Sequence, residues 1–137
     1  MSDAWIRRPA IALSLTGIAL TGYLLYERSQ GGALLCSTGG CETVQASEYA
    51  TVLGVPVALL GLAGYVAFLG LFAARGPLAR AGAVGIGITA VLFSSYLLVV
   101  QLAVLDAICD WCLASDVLVT ALAALALLRV RVRTHAT

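Results

Sequence analysis

The sequence predicts an all-α membrane protein built as a bundle of four transmembrane helices. Of its 137 residues, 61% are hydrophobic and only 11% are charged, and the mean hydropathy is +1.01. Soluble domains carry roughly 25% charged residues, so a water-soluble fold of this length could not bury so much apolar surface. The formal net charge of +1 offers no general means of binding nucleic acid.

Four apolar stretches approach the ~20 residues that a helix needs to cross the hydrocarbon core of a bilayer. They cover about residues 9–26, 53–74, 81–105 and 109–128, and together they form one predicted domain over residues 1–137. Helices are expected because each backbone N–H and C=O must find a partner within its own segment in lipid. A soluble helical bundle would need polar faces that these segments lack.

Individual stretches carry supporting features. The first follows Arg7 and Arg8 and ends without a small-residue cleavage site, so we expect a retained anchor rather than a signal peptide. The third contains three glycines between residues 82 and 87, which suit close contact between helices. The fourth opens on Cys109, at the second of two cysteine pairs.

The arginines predict the orientation of the helices. All eight basic residues are arginines. Seven precede the first span, lie between the second and third, or follow the fourth: Arg7, Arg8, Arg75, Arg80, Arg129, Arg131 and Arg133. Only Arg28 falls on the other side, so the positive-inside rule predicts that both termini are cytoplasmic.

All four cysteines fall on the predicted extracytoplasmic side. Cys36 and Cys41 lie in the outer loop after the first span, and Cys109 and Cys112 lie at the outer end of the fourth. Disulfides persist in that compartment. Structural disulfides that staple the outer loops are one interpretation, and the Cys36–Cys41 pattern alone leaves it open.

The segment Cys109-Asp110-Trp111-Cys112 favours a redox function. At a helix N-terminus, exposed N–H groups and the helix dipole stabilise the thiolate, which is the attacking species. A disulfide that closes so short a loop removes little unfolded-state entropy and is a poor staple. Two dithiols on one face of a membrane can pass electrons by thiol–disulfide exchange.

Other functions of the cysteines give different expectations. A zinc site would require both pairs to converge on one ion as four thiolates, which an oxidising compartment disfavours. A soft-metal or mercury transporter is the alternative from another class, but no cysteine lies in a predicted cytoplasmic segment. In a membrane protein with two purely structural disulfides, mutating Cys112 would leave the function intact.

In these residues the chain resembles the vitamin K epoxide reductase family, specifically its compact bacterial members. The resemblance covers most of the chain. It is carried by Arg8 to Glu27, Leu35-Cys36, Cys41 to Ser47, Gly54-Val55-Pro56 and Cys109 to Leu113. It implies a four-helix bundle in a bacterial inner membrane, with a quinone pocket at the extracytoplasmic end. DsbB-type enzymes instead carry the Cys-x-x-Cys in the first outer loop.

The resemblance also implies a role for each cysteine. Cys36 would meet the thiols of a thioredoxin-fold (DsbA-like) periplasmic partner. Cys41 would act as the shuttle and form an interhelical disulfide with Cys109 during turnover. Cys112 would face the quinone, ubiquinone or menaquinone, and deliver the electrons. The implied function is a quinone-dependent thiol–disulfide oxidoreductase that supports disulfide formation in extracytoplasmic proteins.

Two polar residues are further candidates for the quinone site. Ser47 matches a family Ser/Thr that hydrogen-bonds there, although by residue type alone it is an ordinary helix-capping residue. Asp116 stands four residues after Cys112, where vertebrate members carry a tyrosine. It would lie roughly 10 Å along the fourth span, either supplying protons to a reduced quinone or reaching the outer interface. Tyr96 and Gln101 are candidates for the bundle interior, with their direction left open.

Two further departures concern the outer loop and the redox partner. Only four residues separate Cys36 from Cys41, a shorter interval than in vertebrate members. The sequence ends at Thr137 without an appended thioredoxin-like domain, so the redox partner is expected to be a separate protein.

Overall fold

Four helices make up most of the part of the chain that the structure describes. The computed structural model describes residues 4–30, 48 and 51–136. Helix α1 covers Ala4–Gln30, α2 covers Val57–Ala73, α3 covers Pro77–Val99 and α4 covers Asp110–Ala136. A π-helical segment, Val100–Leu105, continues α3. Strands β1 (Thr51–Val52) and β2 (Val55–Pro56) form an antiparallel hairpin before α2.

The four helices pack as a bundle in which each helix contacts two main neighbours. Helix α1 packs against α2 and α4, and α3 packs against the same two helices. The buried core draws side chains from all four: Ala10, Tyr65, Phe68, Phe72, Ala83, Val119, Leu122 and Ala126. Because α1 and α3 contribute only alanines to this buried set, the aromatic rings of α2 occupy the centre of the bundle.

Three helical segments are long and apolar enough to cross a membrane: Ala4–Gln30, Pro77–Leu105 and Asp110–Val132. Helix α2 is apolar as well but has 17 residues, a length of about 26 Å at 1.5 Å per residue. That is slightly less than the ~30 Å hydrocarbon core. The chain is thus a helical membrane protein, and the prediction of a fourth span depends on α2.

Helix α2 begins later than the apolar stretch predicts, because the hairpin precedes it. Leu53 and Gly54 have φ angles of 53° and 83°, and positive φ at both central residues is the geometry of a two-residue type I′ hairpin turn. Pro56 then stands in an extended conformation at the N-cap of α2. The predicted start at residue 53 is therefore replaced by a turn and a start at Val57.

The other helices extend beyond their predicted apolar stretches. Helix α1 runs from residue 4 to 30 rather than from 9 to 26, and α4 continues to residue 136 rather than 128. Helix α3 begins at Pro77 rather than residue 81. Proline suits the first helical position because its missing N–H is not needed there, and Gly76 before it has a φ of 114°.

The directions of the helices separate arginines from cysteines. Arg7 opens α1, Arg75 and Arg80 flank the start of α3, and Arg129 lies late in α4; we call this the arginine end. Cys109 and Cys112 lie at the opposite end, where α4 begins; we call this the cysteine end. The separation agrees with the sequence pattern, while the side of the membrane that each end faces stays a prediction.

Candidate functional site

Cys109 and Cys112 lie at the N-terminus of α4. Cys109 is fully buried, directly before the helix, and Cys112 is half-buried in its first turn. The backbone N–H of Cys112 donates to Cys109 Sγ at 3.3 Å, and the N–H of Leu113 donates to the Cys109 carbonyl at 3.0 Å. Cys109 therefore occupies the helix-capping position, where N–H donors and the positive end of the helix dipole stabilise negative charge on sulfur.

Gln101 fixes the approach of the chain to this helix end. Its side chain is 2% exposed, and its Oε1 accepts the backbone N–H of Cys109 at 2.9 Å. The backbone carbonyl of Gln101 accepts the N–H of Ala107 at 3.1 Å. Asp106, the residue before Ala107, has a φ of 50°. Gln101 belongs to the π-helical segment, a distortion that often marks functional sites. One residue thus connects α3 to the cysteine pair.

An aromatic pair holds the start of α4 against α1. The ring centroids of Trp111 and Tyr23 are 4.9 Å apart, with their planes inclined at 45°. Such a tilted arrangement is one of the favourable geometries for aromatic rings. Trp111, which lies between the two cysteines in the sequence, is therefore anchored to a neighbouring helix.

A cavity of about 450 Å³ opens between the helices beside Cys112. Its wall is mainly apolar and draws on all four helices, with Leu24, Phe68 and Phe93 among the larger side chains. Gly61, Gly64 and Gly85 widen it by carrying no side chain. The polar groups on the wall are few: Thr21, Tyr65, Thr89, Ser94, Gln101, Cys112, Ser115 and Asp116. An apolar cavity with a few placed polar groups is the usual form of a small-molecule site.

Asp116 turns toward this cavity rather than away from the bundle. Its side chain is hydrogen-bonded to Ser94 of α3, while its Oδ2 is buried and has no hydrogen-bond partner among the described residues. Of the two interpretations of Asp116, its place in the cavity wall favours a role at the site over a position at the outer interface. Its proposed role with quinone stays a prediction.

Tyr65 and Ser115 also line the cavity, and neither residue was among the predicted site residues. The Tyr65 hydroxyl lies 2.7 Å from Ser115 Oγ and 3.1 Å from the Ser115 carbonyl oxygen. A helical spacing of three residues from Cys112 is a signal that identifies Ser115 in retrospect. Nothing in the sequence indicates that Tyr65 of α2 would meet it.

The structure brings together only some of the predicted site residues. Cys109, Cys112 and Asp116 lie within about two turns of one another at the start of α4, and Gln101 joins them from the π-helical segment. Tyr96 is 52% exposed and does not line the cavity. Cys36, Cys41 and Ser47 lie outside the described residues, so their predicted roles stay predictions.

Comparison with known protein families identifies the group to which the chain belongs. The model of the vitamin K epoxide reductase family matches residues 8–127. The match covers most of the 137 residues and includes the cysteine pair and almost the whole of the cavity-forming bundle. The chain is a member of the vitamin K epoxide reductase family, a family of quinone-linked membrane oxidoreductases.

Proposed function

We propose that the protein is a quinone-dependent thiol–disulfide oxidoreductase. Electrons from a thioredoxin-fold periplasmic partner pass through its two cysteine pairs to a membrane quinone, ubiquinone or menaquinone. Steady removal of these electrons would keep the extracytoplasmic compartment oxidising and support disulfide formation in secreted proteins.

The observation that carries this proposal is the position of Cys112. It belongs to a Cys-x-x-Cys at a helix N-terminus and also lines the apolar cavity. A thiol that reacts only with other proteins would need exposure to water, not access to a cavity among membrane helices. Cys109 is buried behind it and caps the helix, so the pair has one member directed to the cavity.

The cavity fits a quinone ring in size and in chemistry. About 450 Å³ falls within the usual ~300–1,000 Å³ of small-molecule sites. Aromatic and aliphatic side chains would contact the ring faces, while the hydroxyl, amide and carboxyl groups on the wall suit its two oxygens. A quinone bound there supplies two-electron redox chemistry, and the protein supplies position and thiolate stabilisation.

The proposed reaction is balanced by the cysteines themselves. When the sulfurs of Cys109 and Cys112 join in a disulfide, the two thiols release two electrons and two protons. Reduction of a quinone to a hydroquinone takes up the same number of each. Thiol–disulfide exchange with Cys41 would then return Cys109 and Cys112 to the dithiol form, with Cys36 resolving Cys41 and receiving electrons from the partner.

The location of the protein is part of the same proposal. We place it in a bacterial inner membrane with both termini cytoplasmic and the cysteine end facing the periplasm. The gathering of arginines at the opposite end supports this orientation. The family match gives no support to soft-metal or mercury transport, and we do not propose it.

A single-turnover assay tests the proposed function. The purified protein is reduced, freed of reductant and mixed anaerobically with a water-soluble quinone, while absorbance reports the quinone and alkylation reports the thiols. We expect one quinone to be reduced for each two thiols lost in the wild type, and none by Cys112→Ala.

Cys36→Ala is the matched control, since it also removes one cysteine. It should still reduce quinone from Cys109 and Cys112 but should fail to accept electrons from a thioredoxin-fold donor. A wild-type protein that loses no thiols to any quinone, or a Cys112→Ala variant as active as the wild type, would contradict the proposal.

A further inference from the structure

A hydroxyl pair from two helices faces the cavity one turn beyond Cys112. The Tyr65 hydroxyl of α2 contacts both the Oγ and the carbonyl oxygen of Ser115 in α4, at 2.7 and 3.1 Å. The carbonyl can only accept, whereas either hydroxyl can donate to the other. The contacts therefore allow two arrangements of the same hydrogen atoms.

These two arrangements differ in what they present to the cavity. In the first, Tyr65 donates to the Ser115 carbonyl and Ser115 donates to the Tyr65 oxygen. In the second, Tyr65 donates to Ser115 Oγ, which leaves the Ser115 O–H for a ligand. Because both side chains line the cavity, a change between the arrangements moves a hydroxyl hydrogen toward or away from a bound molecule.

Asp116, the residue after Ser115, adds a carboxyl group to the same cavity wall. Its Oδ2 is buried without a partner among the described residues, and Ser94 is hydrogen-bonded to the same side chain. Ser115 and Asp116 follow Cys112 by three and four residues, which puts both of them on the same face of α4 as Cys112. The thiol, the hydroxyl and the carboxyl thus line the same cavity along one edge.

We propose that Asp116 and the Tyr65–Ser115 hydroxyl pair form the proton-transfer group of the quinone site. This inference rests on the proposed function and assigns residues to its proton step. Asp116 holds the proton, and the hydroxyl pair contacts the quinone oxygen that receives it.

The proton balance follows from the thiols. As the disulfide between Cys109 and Cys112 forms, one of the two thiol protons passes to Asp116 and replaces the proton that Asp116 delivers through the hydroxyl pair. The other thiol proton leaves to water, and the second quinone oxygen takes its proton from water. Two electrons and two protons leave the protein thiols, and the hydroquinone gains the same number.

Other polar and titratable groups that could exchange protons with Asp116 come from the helices around the cavity. Among the described residues, the other titratable side chains that line the cavity are Tyr65 of α2 and Cys112 of α4. Helices α1 and α3 contribute Thr21, Thr89 and Ser94, and the π-helical segment contributes Gln101. Gly17 of α1 lies directly against the Tyr65 ring, where any added Cβ would overlap it. The position of the phenol therefore depends on the absence of a side chain at residue 17.

The test compares variants that remove one group each. Asp116→Asn, Tyr65→Phe and Ser115→Ala are matched with Tyr96→Phe and Ser14→Ala. Tyr96 is a tyrosine exposed outside the cavity, and Ser14 is buried with its hydroxyl donating to Ala10 within α1. Three quantities are measured: single-turnover quinone reduction across pH, oxidation of Cys109 and Cys112 by a small-molecule disulfide, and the infrared signal of the Asp116 carboxyl upon quinone reduction.

We expect Asp116→Asn to slow quinone reduction by roughly 10²-fold or more, as for the loss of a general acid, and to remove its pH dependence. Tyr65→Phe and Ser115→Ala should slow it less, by roughly tenfold. Oxidation by the small-molecule disulfide should be unchanged in all three. A carboxyl band that changes upon quinone reduction in the wild type should be absent in Asp116→Asn, and Asp116→Glu should restore part of the rate.

Three results would overturn the inference, and they are distinguishable. If Asp116→Asn and Tyr65→Phe reduce quinone at the wild-type rate while Cys112→Ala does not, the proton group is wrong and the proposed function stands. If the wild-type protein reduces no quinone, both fail. A variant that loses quinone reduction and small-molecule oxidation together indicates disturbed cysteines and also counts against a proton role.

Discussion

At the arginine end of the bundle, two side chains satisfy the last carbonyls of α2, whereas at the cysteine end a buried carboxyl oxygen has no partner among the described residues. Arg7 donates to the carbonyls of residues 72 and 73 at 2.8 and 2.9 Å. Arg129, only 1% exposed, donates to those of residues 71 and 74 at 2.9 and 2.7 Å. Four consecutive carbonyls that a helix end leaves open are thus occupied.

The two ends of the bundle thus treat buried polar groups differently: at the arginine end they are hydrogen-bonded, and at the cysteine end, within the described part of the chain, one carboxyl oxygen is left open toward the cavity. An unsatisfied polar group in an apolar surrounding costs free energy, so the arginine end is built to avoid it. Asp116 Oδ2 bears that cost beside a cavity, where a ligand can satisfy it. Both Arg7 and Arg129 lie just outside the family-matched residues 8–127, while the cavity lies within them.

The largest expected effect is at the arginine end. Arg129→Met should lower the free energy of unfolding by about 3–5 kcal/mol, because two charge-assisted hydrogen bonds are lost and two carbonyls are left open. Denaturant or thermal unfolding in detergent measures it. Arg131→Met, an exposed position on the same helix, is the control and should change stability by less than about 0.5 kcal/mol. If the two variants lowered the free energy of unfolding equally, the hydrogen bonds of Arg129 would make no specific contribution to stability.

A smaller effect is expected where α1 supports the cavity. Gly17→Ala should destabilise the protein by about 1–3 kcal/mol, since its Cβ would overlap the Tyr65 ring. It should also slow quinone reduction by moving the phenol. Gly22→Ala is the control on the same helix, because a Cβ there meets no atom within 4 Å. If Gly17→Ala matches Gly22→Ala in unfolding and in turnover, the ring is not fixed as the structure has it.

Gln101 tests the connection between α3 and the cysteine pair. Gln101→Leu should cost roughly 1–2 kcal/mol, because the buried N–H of Cys109 loses its acceptor. The rate of alkylation of Cys109 should increase as the helix start loosens. Gln101→Glu keeps an acceptor oxygen and should preserve the slower alkylation. A Leu variant that is alkylated no faster than the wild type would remove the assigned role.

The smallest effect is expected for the aromatic anchor of α4. Trp111→Leu should lower stability by about 1 kcal/mol through loss of the contact with Tyr23. Trp5→Leu, at a residue that is 58% exposed, should change it less. Thermal unfolding of the two variants in the same detergent separates them, and a reversed order would contradict the anchoring role of Trp111.

The sequence was sufficient for features that depend on composition and local chemistry. Apolar length predicted the three clear spans, and Cys109 to Cys112 was correctly expected at a helix N-terminus, where Cys109 caps α4. The family was identified from residues that the family match then covered. In these cases the physical cause lies within a short stretch of chain.

Features that depend on helix rotation and on contacts between helices could not be predicted. A lipid-exposed helix is apolar all round, so it lacks the periodic pattern that marks the buried face of a soluble helix. The meeting of Tyr65 with Ser115 and the direction of Gln101 follow from packing alone. The arginines were interpreted only as topology signals, and their bonds to α2 depend on where three helices end. The turn at Leu53-Gly54 was not predicted, because its residues belong to a continuous apolar stretch of sequence.

The central claim is that a quinone occupies the cavity beside Cys112, and filling the cavity tests it most directly. Gly64 and Gly70 both lie in α2, and a Cβ at either meets no atom within 4 Å, but only Gly64 lines the cavity. Gly64→Leu should weaken quinone binding and slow single-turnover reduction by about tenfold or more, equivalent to about 1.4 kcal/mol. Oxidation of Cys109 and Cys112 by a small-molecule disulfide should be unaffected, and Gly70→Leu should behave as the wild type. Equal quinone reduction by Gly64→Leu and Gly70→Leu would contradict the claim.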